Sequence, residues 1–475
     1  MEDKEKMEQE EKEIKKMKEE LFIKRENVNL KLSDELLKEA KEYCEDYKIF
    51  LNSCKTERKA CEYAEKMAKD KGFEPFSKEK KYKAGDRAYF VNRNKNIVLV
   101  IFGNKPIENG IKLSIAHIDS PRLDLKANPV FEEDEIGYFK THYYGGIKKY
   151  QWTAIPLALY GVVFKKDGEK VEVCVGEDEK DPVFCISDLL PHLSEKQYKK
   201  PAKEFIDPES LNIIVGSHPF KKSKEGDMVK LNILKILNEK YGIVERDFLS
   251  AEFEVVPAFK AKDVGFDGSL IGSYGQDDRV CAFNSLRAIL DCNSTPNYTA
   301  VVMLADKEEI GSCGNTGMDS NFFEYFVNDL GEMFGVSGHT ILSNSECVSA
   351  DVGAAFDPSY KEVFETKNCA HFGYGTIVTK YTGRAGKAYA SDASSEFVDK
   401  FTRILDKKEI SWQTGEIGRI DIGGGGTVAM FVAKLNIDVI DVGVALLSMH
   451  SPYELSSKVD VFENYRAIHA FLTQE

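Results

Sequence analysis

The pattern of apolar and polar positions divides the chain into regions of different secondary structure. Between residues 34 and 72 apolar residues recur at helical spacing, with Leu36 and Ala40 on one face. Two buried-strand candidates follow, at residues 96–103 and 112–117; the first is a mostly apolar run, and the second ends on His117. The pattern therefore predicts a helical segment and then strands that are covered on both faces.

Between about residues 122 and 255 the pattern changes to short β-prone runs. They lie at residues 162–164, 171–175 and 183–186, and a Lys-Asp-Gly turn separates the first two. A short helix is expected at residues 195–204. We interpret this region as an inserted β-rich domain.

After residue 255 longer strands and helices alternate again. Strand-like runs occur at residues 300–305 and 438–442, and helix-like runs at 279–291, 320–334 and 393–406. Such alternation indicates a mixed or parallel sheet with helices on both faces.

The fold class is therefore predicted to be α/β, with one discontinuous domain and one insertion. Residues 1–121 and 256–475 would form the mixed-sheet domain, and residues 122–255 the inserted domain.

The first 30 residues alternate Glu and Lys around a few apolar positions. Met7, Ile14, Met17 and Leu21 recur at roughly helical spacing, which predicts an N-terminal helix. Either this helix is solvated and held by i,i+4 charge pairs, or it packs against a neighbouring subunit.

Composition excludes several classes of protein. The 475 residues are 42% hydrophobic and carry a net charge of −14, so the chain has material for a large core. It shows no basic patch for nucleic acid and no run of about 18 apolar residues for a membrane span. The charged N-terminus does not resemble a signal peptide. The ten cysteines form no CxxC pair, so we expect them to be reduced in a cytoplasmic protein.

Two histidines and several carboxylates lie next to apolar strands or glycine-rich turns. His117 ends a predicted strand, and Asp119 is placed to accept the hydrogen of its second ring nitrogen. Nitrogen and oxygen donors together suit zinc, cobalt or manganese. The segments that carry these groups are Ala116–Pro121, Gly275–Val280, Ala305–Ser312, Ser349–Gly353 and Leu447–Pro452.

Two of these segments contain adjacent carboxylates. Asp277 and Asp278 precede a predicted helix, where they repel each other unless a cation binds, and one carboxylate can bridge two metals. Glu308 and Glu309 follow an apolar strand, so that one can bind metal while the other transfers protons. Each pair alone is commonly a solvated helix end, and only the combination points to a site.

The order of the motifs is His-x-Asp, Asp-Asp, Glu-Glu-x-Gly-Ser, Ser-Ala-Asp and Met-His-Ser. In this order, from about residue 85 to the C-terminus, the chain resembles the zinc aminopeptidases that include aspartyl aminopeptidase and vacuolar aminopeptidase I. The resemblance implies hydrolysis of the N-terminal residue from peptides. It also implies an α/β peptidase domain whose β-rich insertion mediates dimer contacts or acts as a lid.

The resemblance further implies a role for each residue of the motifs. His117 and His450 would each bind one of two divalent ions, and Asp277 would bridge the two ions. The resemblance implies that the ions are zinc, with cobalt and manganese as alternatives. Glu309 and Asp351 would complete the two coordination spheres.

Two more residues have implied roles in catalysis. Glu308 would be the general base that takes a proton from a water shared by the ions, and Asp119 would support His117.

Assembly is implied as well, because the relatives form homo-oligomers, among them dodecamers built from dimers. A histidine of the inserted domain reaches a neighbour's active site in such relatives, and His192 is the candidate here. The alternative for His192 is an ordinary surface or core histidine.

Some positions depart from the family pattern. Asp278 stands where Asn is common, which leaves two candidates for the bridging ligand, and we choose Asp277. Ala354 and Tyr453 replace a histidine and an arginine of relatives that select acidic residues, so the preferred first residue is either acidic or neutral. Lys380 is a candidate substrate contact or a plain surface lysine.

Two other functions are consistent with the motifs. The chain could instead be a related metal-dependent deacylase or amidohydrolase, which an N-blocked substrate would reveal, or a scaffold derived from an inactive peptidase.

Overall fold

The computed structural model describes residues 2–222 and 225–474. In this part of the chain twelve segments are α-helical. They are α1 (Glu2–Leu21), α2 (Val28–Lys31), α3 (Asp34–Ser53), α4 (Glu57–Asp70), α5 (Glu195–Tyr198), α6 (Met228–Tyr241), α7 (Gln276–Leu290), α8 (Phe322–Phe334), α9 (Gly338–Ser343), α10 (Ser395–Lys407), α11 (Ala429–Ala433) and α12 (Lys458–Leu472).

The strands of the same residues form three sheets. In chain order they are β1 (Glu74–Pro75), β2 (Arg87–Asn92), β3 (Asn96–Ile101), β4 (Ile111–His117), β5 (Arg122–Glu133), β6 (Ile136–Tyr144), β7 (Leu157–Phe164), β8 (Lys170–Val175), β9 (Ile213–Gly216), β10 (Glu252–Pro257), β11 (Lys262–Val264), β12 (Leu270–Ser273), β13 (Thr299–Ala305), β14 (Glu346–Ala350), β15 (Gly353–Ala354), β16 (Thr376–Thr379), β17 (Trp412–Thr414), β18 (Asp438–Gly443), β19 (Ala445–Leu447) and β20 (Glu454–Ser457).

The largest sheet is mixed and has nine strands in the order β1-β2-β3-β13-β4-β14-β18-β16-β17. Its centre is parallel, because β4 pairs in parallel with β13 and β14, and β14 with β18. The strands β3 and β16 run antiparallel to their neighbours β13 and β18. The carboxyl ends of the four central strands therefore meet at one edge, which is where binding sites of α/β folds form.

Helices cover both faces of this sheet, since its central strands are apolar on both sides. In β13, Val302 and Leu304 pack into a core with residues of α3, α4, α7, α10 and α12. Val301 and Met303 of the same strand point the other way and pack with α8, α9 and α11. The predicted α/β class with helices on both faces is confirmed.

A second sheet takes all its strands from residues 122–257. Its order is β8-β7-β10-β5-β6-β9, and every pair is antiparallel. It has its own core around Trp152 and Phe253. Arg122 of β5 nevertheless pairs with Glu57 of α4 at 3.1 Å, so a buried ion pair joins the second sheet to a helix that packs on the first. The division of the chain at residues 121 and 255 stays a prediction.

Most of the predicted elements are present, with ends that differ by a few residues. One error is the single helix expected at residues 34–72, which is two helices, α3 and α4. Thr56 caps the second helix, because its side chain accepts the N–H of Lys59 at 3.4 Å. Lys55, in the break, is buried and donates to the carbonyl of Pro257 at 2.8 Å. The break between the helices therefore depends on a buried contact of a lysine, which the spacing of apolar residues does not reveal.

Two predictions in the inserted region were also wrong. Residues 183–186 form only isolated bridges, at Phe184 and Cys185, instead of a strand. The helix expected at 195–204 ends at Tyr198, and a 3-10 turn follows Pro201. Pro201 lacks an N–H and restricts the residue before it, which explains the interruption.

The predicted N-terminal helix is present as α1, and its apolar side chains are exposed. Met7, Ile14, Met17 and Leu21 are between 51% and 72% exposed. Lys16 and Glu20 form an i,i+4 pair at 3.8 Å. Among the described helices, none has both the length and the apolar character to cross a membrane.

Candidate metal centre

Three candidate ligands follow central strands of the nine-stranded sheet. His117 is the last residue of β4, Asp351 follows β14 directly, and Glu309 lies in a 3-10 turn just after β13. Because β4 lies between β13 and β14, their carboxyl ends bring these three side chains to one edge of the sheet.

Two further candidates come from the ends of a smaller sheet. Asp277 follows β12 at the start of α7, and His450 lies in the turn between β19 and β20. Since β12 pairs with β20, with Ser273 opposite Glu454, the chain segments that carry Asp277 and His450 are neighbours.

Asp277 lies between the two histidines. Its Oδ1 is 3.3 Å from Nε2 of His117, and its Oδ2 is 3.0 Å from Nε2 of His450. Asp351 Oδ1 lies 3.8 Å from the first histidine and Glu309 Oε2 lies 3.5 Å from the second. The five side chains therefore form two groups, His117–Asp277–Asp351 and Asp277–Glu309–His450, which share one carboxylate.

Each histidine is oriented through its other ring nitrogen. Nδ1 of His117 lies 3.0 Å from the carbonyl oxygen of Asp119 and 3.3 Å from its carboxylate. Nδ1 of His450 lies 2.8 Å from the carbonyl oxygen of Gly146. With a cation at the centre and the hydrogen kept on Nδ1 in both rings, each Nε2 would present its lone pair to that cation. The support of His117 by Asp119 stays a prediction that this geometry allows.

Asp119 also fixes the turn that carries the paired glutamates. Its carboxylate accepts the backbone N–H groups of Glu308 and Glu309 at 3.1 and 3.2 Å, and the Tyr144 hydroxyl at 2.8 Å. Tyr144 is the last residue of β6, and Gly146 lies just beyond it. They were missed because a backbone carbonyl and a distant phenol leave no motif in the sequence.

Burial and the concentration of charge shift the pKa values of the centre. Burial raises the pKa of Glu309 well above its ordinary value, and the negative Asp277 adds to this. Burial lowers the pKa of His450, but Asp277 and Glu309 outweigh burial and raise it to about 11. Burial also acts to raise the pKa of Asp277, yet hydrogen bonds from His117 and His450 hold it below its ordinary value. The centre therefore holds more negative groups than the protein itself neutralises.

Glu308 belongs to neither group of candidate ligands. Its Oε2 lies 4.0 Å from Nε2 of His117, and burial raises its pKa to about 8, helped by the nearby Asp351 and Asp119. A carboxylate beside the ligands with a pKa near neutrality suits proton transfer.

The donor set fits divalent cations that accept nitrogen and oxygen ligands. Oε1 of Glu309 is buried and has no hydrogen-bond partner among the described residues. Each group offers one imidazole and two carboxylates, a combination that zinc binds at catalytic sites. The arrangement therefore leaves an unmet negative charge where a cation would bind.

Three other predicted residues lie outside the two groups. Both carboxylate oxygens of Asp278 are buried and have no hydrogen-bond partner in the described chain, and neither group includes them. His192 is exposed in a 3-10 turn of the inserted region. Lys380 is exposed as well, whereas its neighbours Thr379 and Tyr381 line a cavity of about 200 Å³.

That cavity opens beside the candidate ligands, since Asp351 forms part of its wall. Val352, Ala354 and Ile377 add apolar surface to the same wall. A substrate side chain can therefore lie in it while the adjoining backbone lies at the centre.

Comparison with known proteins agrees with this geometry. Residues 50–472 match the family model described as aminopeptidase I zinc metalloprotease (M18). A probable M18 family aminopeptidase 1 of Clostridium acetobutylicum is 48% identical over 450 residues, which cover 93% of this chain and 97% of the relative.

Solved structures show the same fold. The M18 family aminopeptidase of Thermotoga maritima superposes with a TM-score of 0.91 at 43% identity, covering 95% of this chain and 100% of that one. The mApe1 dodecamer of S. cerevisiae gives a TM-score of 0.72 at 21% identity, over 92% and 96% of the two chains.

The family match decides between the functions that the motifs left open, because it favours an aminopeptidase over a deacylase or an inactive scaffold. The family match and the alignments with the bacterial relatives both cover nearly the whole chain. The chain belongs to the M18 family of zinc aminopeptidases.

Proposed function

We propose that this aminopeptidase uses two divalent ions, both zinc, to remove single residues from the N-termini of peptides. One ion would be held by His117, Asp277 and Asp351, and the other by Asp277, Glu309 and His450. The observation that carries this proposal is the position of Asp277, whose two oxygens lie 3.3 and 3.0 Å from Nε2 of the two histidines.

Ions bound there would polarise the scissile carbonyl and lower the pKa of a water molecule toward neutrality. Glu308 takes the proton of the attacking water and returns it to the leaving amine, as its position beside His117 and its raised pKa allow. The backbone N–H bonds to Asp119 hold the turn of Glu308 in place for both transfers. The free α-amino group of the substrate binds near the carboxylates, which restricts cleavage to the first residue.

The first residue is proposed to be neutral. The cavity beside Asp351 has apolar walls at Val352, Ala354 and Ile377. Lys387, which also lines the cavity, is already paired with Asp392 at 3.2 Å. Arg384 and Arg419 line the cavity too, but the acidic Asp351, Glu416, Asp421 and Asp441 also line it, so its wall carries no net positive charge and favours an uncharged side chain over an acidic one. Contact between Lys380 and the substrate stays a prediction. The side chain of this lysine is exposed, which does not support the contact.

The chain is also proposed to act as a cytoplasmic homo-oligomer, a dodecamer built from dimers, by analogy with the mApe1 dodecamer of S. cerevisiae. The inserted region exposes apolar side chains around His192, since Leu189, Leu190 and Leu193 are 46%, 49% and 66% exposed. Exposed apolar patches of this kind fit a subunit interface, from which His192 would reach a neighbour's site. The ten free cysteines suit a reducing compartment.

Metal analysis and a substrate panel test the proposal together. The purified protein should contain two zinc ions per chain and should lose activity when a chelator removes them. Among aminoacyl substrates with acidic, neutral and basic first residues, the neutral ones should give the highest kcat/KM. A single ion per chain would refute the two-ion site, and faster cleavage of acidic substrates would refute the neutral preference.

A further inference from the structure

One buried carboxylate joins the backbones of two candidate ligands. Glu454 is the first residue of β20 and is only 1% exposed. Its Oε1 accepts the backbone N–H of His450 at 2.7 Å. Its Oε2 accepts the N–H groups of Gln276 and Asp277 at 2.6 and 3.2 Å. Neither the metal groups nor the proton transfer by Glu308 involves this carboxylate directly.

The position of Glu454 is itself fixed by the smaller sheet. Its strand pairs with β12 on one side and β19 on the other. The Gln276 side chain donates to the Glu454 carbonyl at 2.8 Å and accepts the Ser456 hydroxyl at 2.6 Å. The carboxylate is therefore a fixed acceptor rather than a mobile side chain.

His450 needs such an anchor more than His117 does. His117 ends a central strand and is 1% exposed, so the sheet holds its backbone. His450 lies in a turn, its side chain is 36% exposed, and its φ of 64° is in the left-handed region that non-glycine residues rarely adopt. The Glu454 carboxylate holds the backbone N–H of His450 and the Gly146 carbonyl holds its ring, while the neighbouring Met449 packs against the core.

We propose that Glu454 is a positioning residue for one of the two ions, the one assigned to Asp277, Glu309 and His450. It sets the distance between Asp277 and His450 by holding both backbones with one carboxylate. This inference rests on the proposed two-ion function. Because Asp277 belongs to both sites and His450 to only one, loss of Glu454 should weaken the ion of His450 more than the ion of His117 and Asp351.

The test is zinc binding by Glu454→Gln, measured on chelator-stripped protein by competition with a chromogenic chelator. The glutamine has nearly the same shape, but its NH2 group would face a backbone N–H donor in place of an acceptor oxygen. Wild-type protein should bind two ions tightly. The variant should bind the ion of His450 about 10–100-fold more weakly, the usual effect of removing an outer partner of a ligand, and should lose less affinity for the other ion.

Asp460→Asn is the matched control. Asp460 is fully buried and also accepts two backbone N–H groups, from Gly373 and Gly375, each at 2.7 Å. That loop carries none of the candidate ligands, so this variant should bind both ions as the wild type does. Glu454→Asp, which keeps the charge but shortens the side chain, gives a second measurement if the glutamine variant does not fold, and it should weaken the same ion.

The outcomes separate the two levels of inference. Two tight ions in a folded Glu454 variant overturn the positioning role and leave the two-ion function standing. If Asp460→Asn weakened zinc binding as much as the Glu454 variant does, or if the Glu454 variant bound both ions equally weakly, the cause would be a general loosening of the fold. Either result also overturns the positioning role. A wild-type protein that binds fewer than two ions refutes the proposed function, and the positioning role fails with it.

Discussion

The carboxylate of Asp119 accepts the backbone N–H of Glu308 at 3.1 Å, which connects the end of one central strand to the turn after its neighbour. The two residues are far apart in sequence, but β4 and β13 lie side by side in the sheet. The same carboxylate accepts the N–H of Glu309, and both its carboxylate and its carbonyl lie beside Nδ1 of His117. One side chain therefore positions a candidate ligand and the candidate base together.

Asp119→Asn should reduce kcat/KM by about 10–100-fold, because an amide has only one acceptor oxygen for the donors that the carboxylate serves. Tyr144→Phe removes one of these donors and should cost less. Steady-state kinetics on a neutral aminoacyl substrate should show a larger loss of kcat/KM in Asp119→Asn than in Tyr144→Phe. Wild-type kinetics in Asp119→Asn would rule out this positioning role.

Glu308→Gln should lower kcat by about 10²–10⁴-fold, because the amide cannot accept a proton. Zinc content should stay close to that of the wild type, since Glu308 lies outside both ligand groups. Glu309→Gln is the adjacent control and should lose metal instead. Turnover and metal content, measured on the same preparations, separate the two effects. Unchanged turnover in Glu308→Gln would exclude it as the base.

Much of the α/β core could be predicted from sequence because its strands are continuous apolar runs. The strand at 300–305, for example, is buried along its whole length as β13. His117 was recognisable because it ends a predicted strand, whereas the role of Asp351 followed from the family resemblance. Apolar periodicity therefore located the central strands, and the ordered set of motifs was needed to recognise the ligands that follow them.

The other contacts of the centre depend on tertiary pairing that the sequence does not encode locally. Gly146 contributes a carbonyl oxygen, which any residue could supply. The contact of Glu454 with Asp277 arises only when β12 pairs with β20. The break at Lys55 was missed for the same reason, since its partner is the distant carbonyl of Pro257.

Deletion of residues 1–21 should leave the melting temperature within about 1 °C of the wild-type value. The described side chains of α1 are exposed, and solvated surface groups usually contribute little to stability. Thermal unfolding and light scattering of the truncated and full-length proteins check this. A smaller assembly after truncation would show instead that α1 packs against a neighbouring subunit.

Coexpression of His192→Ala with Glu308→Gln should restore activity if His192 completes a neighbour's site. A mixed oligomer then contains sites with an intact Glu308 from one chain and an intact His192 from the other. Activity per chain should exceed the mean of the two separate variants. Coexpression of Glu308→Gln with Glu309→Gln is the control and should restore nothing, because both changes lie in one site. No gain in the first pair would assign His192 to the ordinary surface.

Lys112 gives a prediction about pH and stability that is independent of the metal centre. This lysine lies on β4, is 3% exposed and pairs with Glu346. Burial lowers its pKa from 10.5 to about 8, although Glu346 pulls it upward. Between these two values the unfolded chain binds a proton that the folded chain does not, so folding becomes more favourable as pH rises. The shift corresponds to about 3 kcal/mol at most.

Lys112→Met removes this titration, so the two proteins should differ in their response to alkaline pH. Buried cysteines and tyrosines also titrate there, but they affect both proteins equally and cancel in the difference. From pH 8 to 10 the melting temperature of the wild type should therefore rise by a few degrees relative to that of the variant. Differential scanning calorimetry at half-unit pH steps measures it. Parallel melting curves across this range would mean that Lys112 stays charged in the folded protein, because its pairing with Glu346 then outweighs burial.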